Sequence, residues 1–224
     1  MSALAMDMVG VAAQAAKLRE VQSFAPEIDA PSVVAPFARN EEIFAEEEPT
    51  KYVYKVVSGA VRLIRILSDG RRHISAFYLP GEVFGFEPGE AHRFSAEAVV
   101  DSRIAMVRRA AIEDAACADA RVGRAMWRLA AIDLQNLNEH MLLLGRMSAT
   151  ERVSAFLIEL SARMGAGECI DLPMSRSDIG DYLGLTIETV SRTFTQLERD
   201  GAIAMPSARK IIVRNRARLN RCDA

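Results

Sequence analysis

A chain of 224 residues at half hydrophobic composition has room for two compact domains, and three cysteines, Cys117, Cys169 and Cys222, are too few and too scattered for a disulfide scaffold or a CxxC-type zinc site. No apolar run reaches the ~18–20 residues of a membrane span and the start lacks the basic segment of a secretory signal, so a cytoplasmic protein with no membrane partner is expected. The net charge of −2 is unevenly divided: residues 1–147 carry 17 Lys+Arg against 20 Asp+Glu, residues 148–224 carry 11 against 10.

Residues 1–38 read as a loosely attached N-terminal arm, Ala-rich at first and then interrupted by prolines. Over 39–118 the pattern turns to short strands rich in β-branched and aromatic residues: YVYKVV (52–57), VRLIRIL (61–67), HISAFY (73–78), FSAEAVV (94–100) and RIAMV (103–107). Ser58-Gly59, Asp69-Gly70, Pro80-Gly81 and Asp101-Ser102 separate them as turns. Strands at this spacing predict a small antiparallel barrel or jelly roll.

Residues 119–147 contain no proline and become helical. Trp127, Ala130, Leu134, Leu137, Met141 and Leu144 step by alternating threes and fours, the seam of a helix that pairs with a copy of itself. The competing explanation is a core-facing helix of a monomer, and Leu142 and Leu143 on other faces point to additional packing against the chain's own barrel.

A new helix, ERVSAFLIELSARMG, opens the last segment, 148–224. Within it SRSDIGDYLGLTIETVSRTFTQL reads as a helix-turn-helix: Ile179, Tyr182 and Leu183 mark one short helix, and Val190, Phe194 and Leu197 mark the next. Ser175 with Asp178 has capping-box spacing, Thr186 suits an N-cap, Gly184 suits the turn and Gly180 a close crossing. The face of the second helix opposite its apolar stripe carries Ile187, Glu188, Ser191, Arg192 and Thr195. Arginine forks onto guanine, glutamate accepts from cytosine, and Ile or Ser meets a thymine methyl. AIAM, the turn Pro206-Ser207 and RKIIV predict a β-hairpin wing with Arg209 and Lys210 over phosphates. Residues 186–221 hold 8 basic side chains against 3 acidic ones, as phosphate contact requires. Ser175, Arg176, Thr186, Ile187, Glu188, Thr189, Ser191, Arg192, Thr195, Arg209 and Lys210 are therefore the expected DNA-binding residues. The competing explanation is a surface helix with a Glu188–Arg192 ion pair and a solvated basic tail.

A β-roll, a long dimer helix and a winged helix-turn-helix in this order, an α+β architecture, resemble the CRP/FNR family of transcription regulators from about residue 40 onward. Glu188-Thr189-Val190-Ser191-Arg192 is similar to the E-x-x-S-R motif of FNR-type recognition helices. Ile187 and Ser191 stand where the cyclic-AMP receptor branch has Arg and Gly. YVYKVVSGAVR, SDGRRHISAFYLPGE and FSAEAVVDSR resemble the FixK-like branch, whose members switch on genes for microaerobic respiration, denitrification or nitrogen fixation. The resemblance implies a homodimeric activator that reads a TTGAT-N4-ATCAA-like palindrome and works with RNA polymerase. FNR carries an iron–sulfur cluster on four cysteines, three near its N-terminus; no cysteine precedes Cys117 here, so no cofactor and no metal site is expected. Gly81-Glu82 resembles the ribose end of a cyclic-nucleotide pocket. Phe94 precedes Ser95 where a phosphate-binding Arg belongs, and Arg93 lies one place early, which predicts loss of nucleotide binding. The alternative is a nucleotide-like sensor with an altered pocket built on Glu82 and Arg93. No nucleophile–His–carboxylate set, P-loop or Cys/His cluster occurs, so no catalytic residue is expected.

Overall fold

The computed structural model describes residues 31–146, 148–165 and 168–221. The first 30 residues of the expected arm, and Cys222, lie outside the described residues. The rest divides into two compact units, one of residues 31–63 and 77–131, the other of 64–76 and 132–221.

The first unit is the predicted antiparallel roll. Its strands are β1 (Val33–Phe37), β2 (Glu42–Phe44), β3 (Tyr52–Ser58), β4 (Val61–Ile66), β5 (Arg72–Tyr78), β6 (Val83–Phe84), β7 (Ser95–Ala98) and β8 (Ser102–Arg108), with the tip of the β4–β5 hairpin counted in the second unit. One sheet has the order β1-β8-β3-β6 and the other β2-β7-β4-β5. Phe37, Phe44, Tyr54, Val56, Val61, Phe84 and Ile104 bury their side chains together and draw on both sheets. Each large apolar side chain buried here is worth about 1.5–3 kcal/mol against an exposed one.

The N-terminal arm was expected to run to residue 38, and the structure corrects its end. Val33–Phe37 pairs antiparallel with β8, Ala35 opposite Ile104 and Phe37 opposite Ser102, so the roll begins at Val33, inside the expected arm. Pro36 had argued against a strand. β1 lies at the edge of its sheet, where a residue without an N–H costs no ladder bond. The short strands β2 and β6 were also missed, as was helix α1 (Arg109–Ala118), which buries Ile112 against Val53, Val107 and Val122. Asp119 then interrupts the helical path in extended conformation, and its carboxylate accepts the Arg121 N–H to start α2 (Ala120–Arg146).

The second unit contains the end of α2, then α3 (Ala149–Met164), β9 (Cys169–Asp171), α4 (Arg176–Leu183), α5 (Ile187–Arg199), β10 (Ile203–Ala204), β11 (Lys210–Val213) and α6 (Arg216–Arg221). Ser148 and Glu151 form a capping box that begins α3. The expected wing is present as β10 paired with β11, and β9, unforeseen, completes a three-stranded sheet in the order β10-β11-β9. Val153, Phe156, Leu157 and Leu160 of α3 and Val190, Phe194 and Leu197 of α5 are buried, as is Ile211 of the wing.

Candidate nucleic-acid interface

The helix pair is built from local signals. Ser175 Oγ accepts the Asp178 N–H at 3.1 Å, and the Asp178 carboxylate takes the Ser175 N–H at 3.0 Å and its hydroxyl at 2.8 Å, which closes the capping box of α4. Gly184 ends α4 in the left-handed region at φ 64° and lets the chain reverse. Gly180 faces the turn itself: a Cβ there would lie 2.7 Å from the Leu185 carbonyl oxygen. Thr186 then caps α5, its hydroxyl accepting the Thr189 N–H at 3.2 Å.

Burial divides α5 into two faces. Val190, Thr193, Phe194 and Leu197 are buried, while Ile187, Glu188, Ser191, Arg192 and Thr195 are exposed. Ser191 Oγ donates to the Ile187 carbonyl at 2.8 Å and Thr195 Oγ1 to the Ser191 carbonyl at 3.1 Å. Their hydroxyl hydrogens are spent on the helix, so both present acceptor lone pairs outward. Glu188 has its pKa lowered by backbone and Thr186 hydrogen bonds at the helix start and, more weakly, by the charge of Arg192. Arg192 makes no side-chain hydrogen bond or ion pair among the described residues, so its five donors point to solvent unengaged. One face thus offers a fork of donors beside a carboxylate and two hydroxyl acceptors.

Arg209 and Lys210 are exposed on the wing, without side-chain partners among the described residues. Ser175 and Arg176 have other occupations. The Ser175 hydroxyl is the helix cap just described. Arg176 is half-buried: its guanidinium lies 3.3 Å from the centre of the Phe194 ring, and Nη2 donates to Met205 Sδ at 3.5 Å and to the Ala208 carbonyl at 3.2 Å. Burial draws its pKa down to about 10. It ties the start of α4 to the core of α5 and to the wing.

Two arginines that the sequence reading passed over also hold this unit together. Arg72, on the β5 end of the hairpin, meets Asp178 at 2.6 Å and Asp181 at 2.7 Å. Arg152 of α3 donates to the Leu183 and Leu144 carbonyls, each at 2.9 Å. Neither contact leaves a spacing signal, since Arg72 and Asp178 are 106 residues apart.

Comparison with known proteins agrees with this geometry. The model of the Crp-like helix-turn-helix domain matches residues 151–222, and that of the cyclic nucleotide-binding domain matches residues 34–118. The nitrogen fixation regulation protein FixK of Azorhizobium caulinodans is 49% identical over 195 residues, covering 85% of this chain and 79% of the relative. The protein of the same name from Rhizobium meliloti is 42% identical over 193 residues, covering 86% and 88%. The chain belongs to the CRP/FNR family of transcription regulators, in its FixK-like branch. The solved structure of FixK2 from Bradyrhizobium japonicum superposes with a TM-score of 0.84 at 50% identity, over 86% of this chain and 98% of that one. The matched helix-turn-helix domain contains both α4 and α5.

Inside the roll several aromatic rings pack on one another. Phe44 stacks on His92 at 3.7 Å, Tyr54 on Phe84 at 5.2 Å and Tyr78 on Phe84 at 5.1 Å. His92 is buried with Nδ1 2.9 Å from Glu87, whereas Arg93 is exposed and its backbone N–H donates to Glu87. Glu82 accepts the Leu79 N–H at 2.9 Å within its own turn. Cys117 is exposed and Cys169 half-buried, and no cluster of three His, Cys, Asp or Glu side chains with metal-site geometry occurs among the described residues.

The seam of α2 lies open. Trp127, Leu134, Leu137 and Met141 are 78%, 60%, 53% and 64% exposed, and Ala130 is exposed beside them. Leu144 departs from the row: it is half-buried, in contact distance of Gly184. Leu143 is buried and Leu142 is 62% exposed. Among the described residues no helix is long and apolar enough to cross a membrane.

Proposed function

We propose that this FixK-like regulator acts as a cytoplasmic homodimer on a TTGAT-N4-ATCAA-like palindrome, activating transcription with RNA polymerase at promoters for oxygen-limited respiration or nitrogen fixation. The observation that carries the reading is the exposed face of α5, where an unpaired Arg192 stands one helical turn from Glu188 and beside Ser191 and Thr195. Arg192 forks onto the guanine of the half-site, and Glu188 accepts from a cytosine or adenine amino group. Ser191 and Thr195, whose protons point into the helix, accept from amino groups or pack on thymine methyls, and Ile187 meets a methyl. Thr189 and Thr186 set the start of the helix against the backbone, with Ser175 and Arg176 fixing α4, and Arg209 and Lys210 reach phosphates. Four exposed apolar side chains in one row on α2 support the dimer, because a monomer would leave that row in water.

The same reading dispenses with an effector. Aromatic rings pack inside the roll, Glu82 accepts an N–H of its own turn, and Arg93 faces solvent, so neither residue of the altered pocket is turned towards a bound nucleotide. Absence of cysteine before Cys117 removes the ligands of an FNR-type cluster.

Selection from random duplex DNA with the purified chain, with and without cyclic nucleotide, tests the proposal. Enrichment of paired TTGA-type half-sites without nucleotide is the expected result. Enrichment of TGTGA half-sites, or binding that appears only with nucleotide, refutes it.

A further inference from the structure

Arg152 stands in the second turn of α3, and its two terminal nitrogens reach two other helices. Nη1 donates to the carbonyl of Leu183, the last residue of α4, and Nη2 to the carbonyl of Leu144 in the last turn of α2. Carbonyls there have no N–H of their own helix to accept from, and each helix end carries partial negative charge. The one N–H that would continue α2 onto Leu144, that of Ser148, is taken by the Glu151 carboxylate. Two negatively polarised helix ends therefore meet on one guanidinium. The convergence is close: a Cβ on Gly184 would lie 3.5 Å from Arg152 Nη1 and 3.6 Å from Leu144 Cδ2.

A guanidinium is a planar fork whose donors leave in fixed directions, whereas an ammonium is a point charge on a flexible stem. Holding two carbonyls with one fork fixes not only a distance but an angle. The elements held are the end of the helix that carries the open apolar seam and the helix on which α5 is mounted. We infer that Arg152 is a positioning residue that sets the orientation of the recognition helix relative to α2, and through it the half-site spacing that the dimer accepts. The inference rests on the dimeric, palindrome-reading function proposed above. Arg152 touches no DNA in this scheme; the base preference within a half-site belongs to α5.

The test measures affinity of the full chain for duplexes whose half-sites lie three, four, five or six base pairs apart, and for a single half-site. Wild type prefers the four-pair spacing. Arg152→Lys keeps the charge and one hydrogen bond, and Arg152→Gln keeps neutral hydrogen-bonding capacity at similar length. Both are expected to narrow the preference for four pairs over its neighbours by about tenfold, with dimer mass and the G·C preference in each half-site unchanged. A spacing profile identical to wild type in both variants, including a uniform loss of affinity at every spacing, overturns the inference while the dimeric reading stands. A wild type that binds the palindrome no better than the half-site refutes the dimeric reading, and the role of Arg152 falls with it.

Discussion

Replacing Gly180 with alanine separates a steric requirement from an ordinary helix substitution. In an unconstrained helix the change is stabilising by roughly 0.5–1 kcal/mol, because glycine loses more backbone freedom on folding. At Gly180 the added Cβ would stand 2.7 Å from the Leu185 carbonyl oxygen and 3.6 Å from the carbonyl carbons of Leu185 and Thr186. The obstacle is backbone, and it is tethered: the Leu185 N–H donates to the Gly180 carbonyl at 2.9 Å, and the Gly184 N–H closes on that same carbonyl. Relief means moving the turn, at an overpacking cost of about 1–3 kcal/mol. The net expectation is a loss of about 1–2 kcal/mol, with a further fall in DNA affinity because Thr186, the cap of α5, moves with Leu185. Gly145→Ala is the control: it lies in α2, and nothing stands within 4 Å of its added Cβ. Urea unfolding of both variants with DNA binding measured in parallel decides the matter. A Gly180→Ala protein stabilised as much as Gly145→Ala would refute the account of the turn.

Replacing Leu134 and Leu137 with aspartate should give monomers by sedimentation and abolish palindrome binding, whereas a tight dimer would place the interface away from the α2 seam. Arg192→Ala should cost roughly 1–3 kcal/mol per half-site and relax choice at the G·C pair. Arg209→Ala should weaken all sequences alike and reduce the salt slope by about 0.9 for each lost phosphate contact, and an unchanged slope would remove the wing from the backbone. His140, packed 4.0 Å from the Tyr182 ring, has its pKa pushed down to about 4 by burial and by His73. The unfolded chain therefore takes up that proton first, and stability present above the ordinary value of 6.5 is lost as pH falls towards 4. The ring's part exposure limits the loss to about 1–2 kcal/mol. His140→Leu should flatten the thermal-unfolding profile across that window, and an unchanged profile would clear the histidine.

The parts legible in the sequence were those encoded by short-range pattern. Strand alternation around Tyr54 and Ile104, the capping box at Ser175 and the threes and fours from Trp127 to Met141 are set by residues a few positions apart, so spacing reveals them. β1 was lost because Pro36 reads as a breaker until its place at a sheet edge is known, and β6 because two residues carry no period. Leu144 fits the seam by spacing yet turns towards Gly184, since the end of a helix is claimed by whatever packs beneath it. Arg176 was assigned to DNA by charge and position, while Phe194 and the wing that receive it are contributed from elsewhere in the chain.

Charge shows the same limit from another side. By composition the C-terminal segment holds a set of equivalent arginines; the structure sorts them by what they touch. Arg152 ends on two carbonyls, Arg176 on a ring and the wing, Arg163 on Glu159 and Arg218 on the Asp200 carbonyl, and Arg72 arrives from the hairpin to meet Asp178 and Asp181. Arg192, Arg209 and Lys210 end in solvent. A partnered guanidinium has its donors occupied and would have to give up a charge-assisted bond to engage DNA, whereas an unpartnered one gives up only water. If the proposed DNA-reading function holds, the cations that phosphate and base meet at least cost are therefore Arg192, Arg209 and Lys210, which the fold leaves without side-chain partners among the described residues.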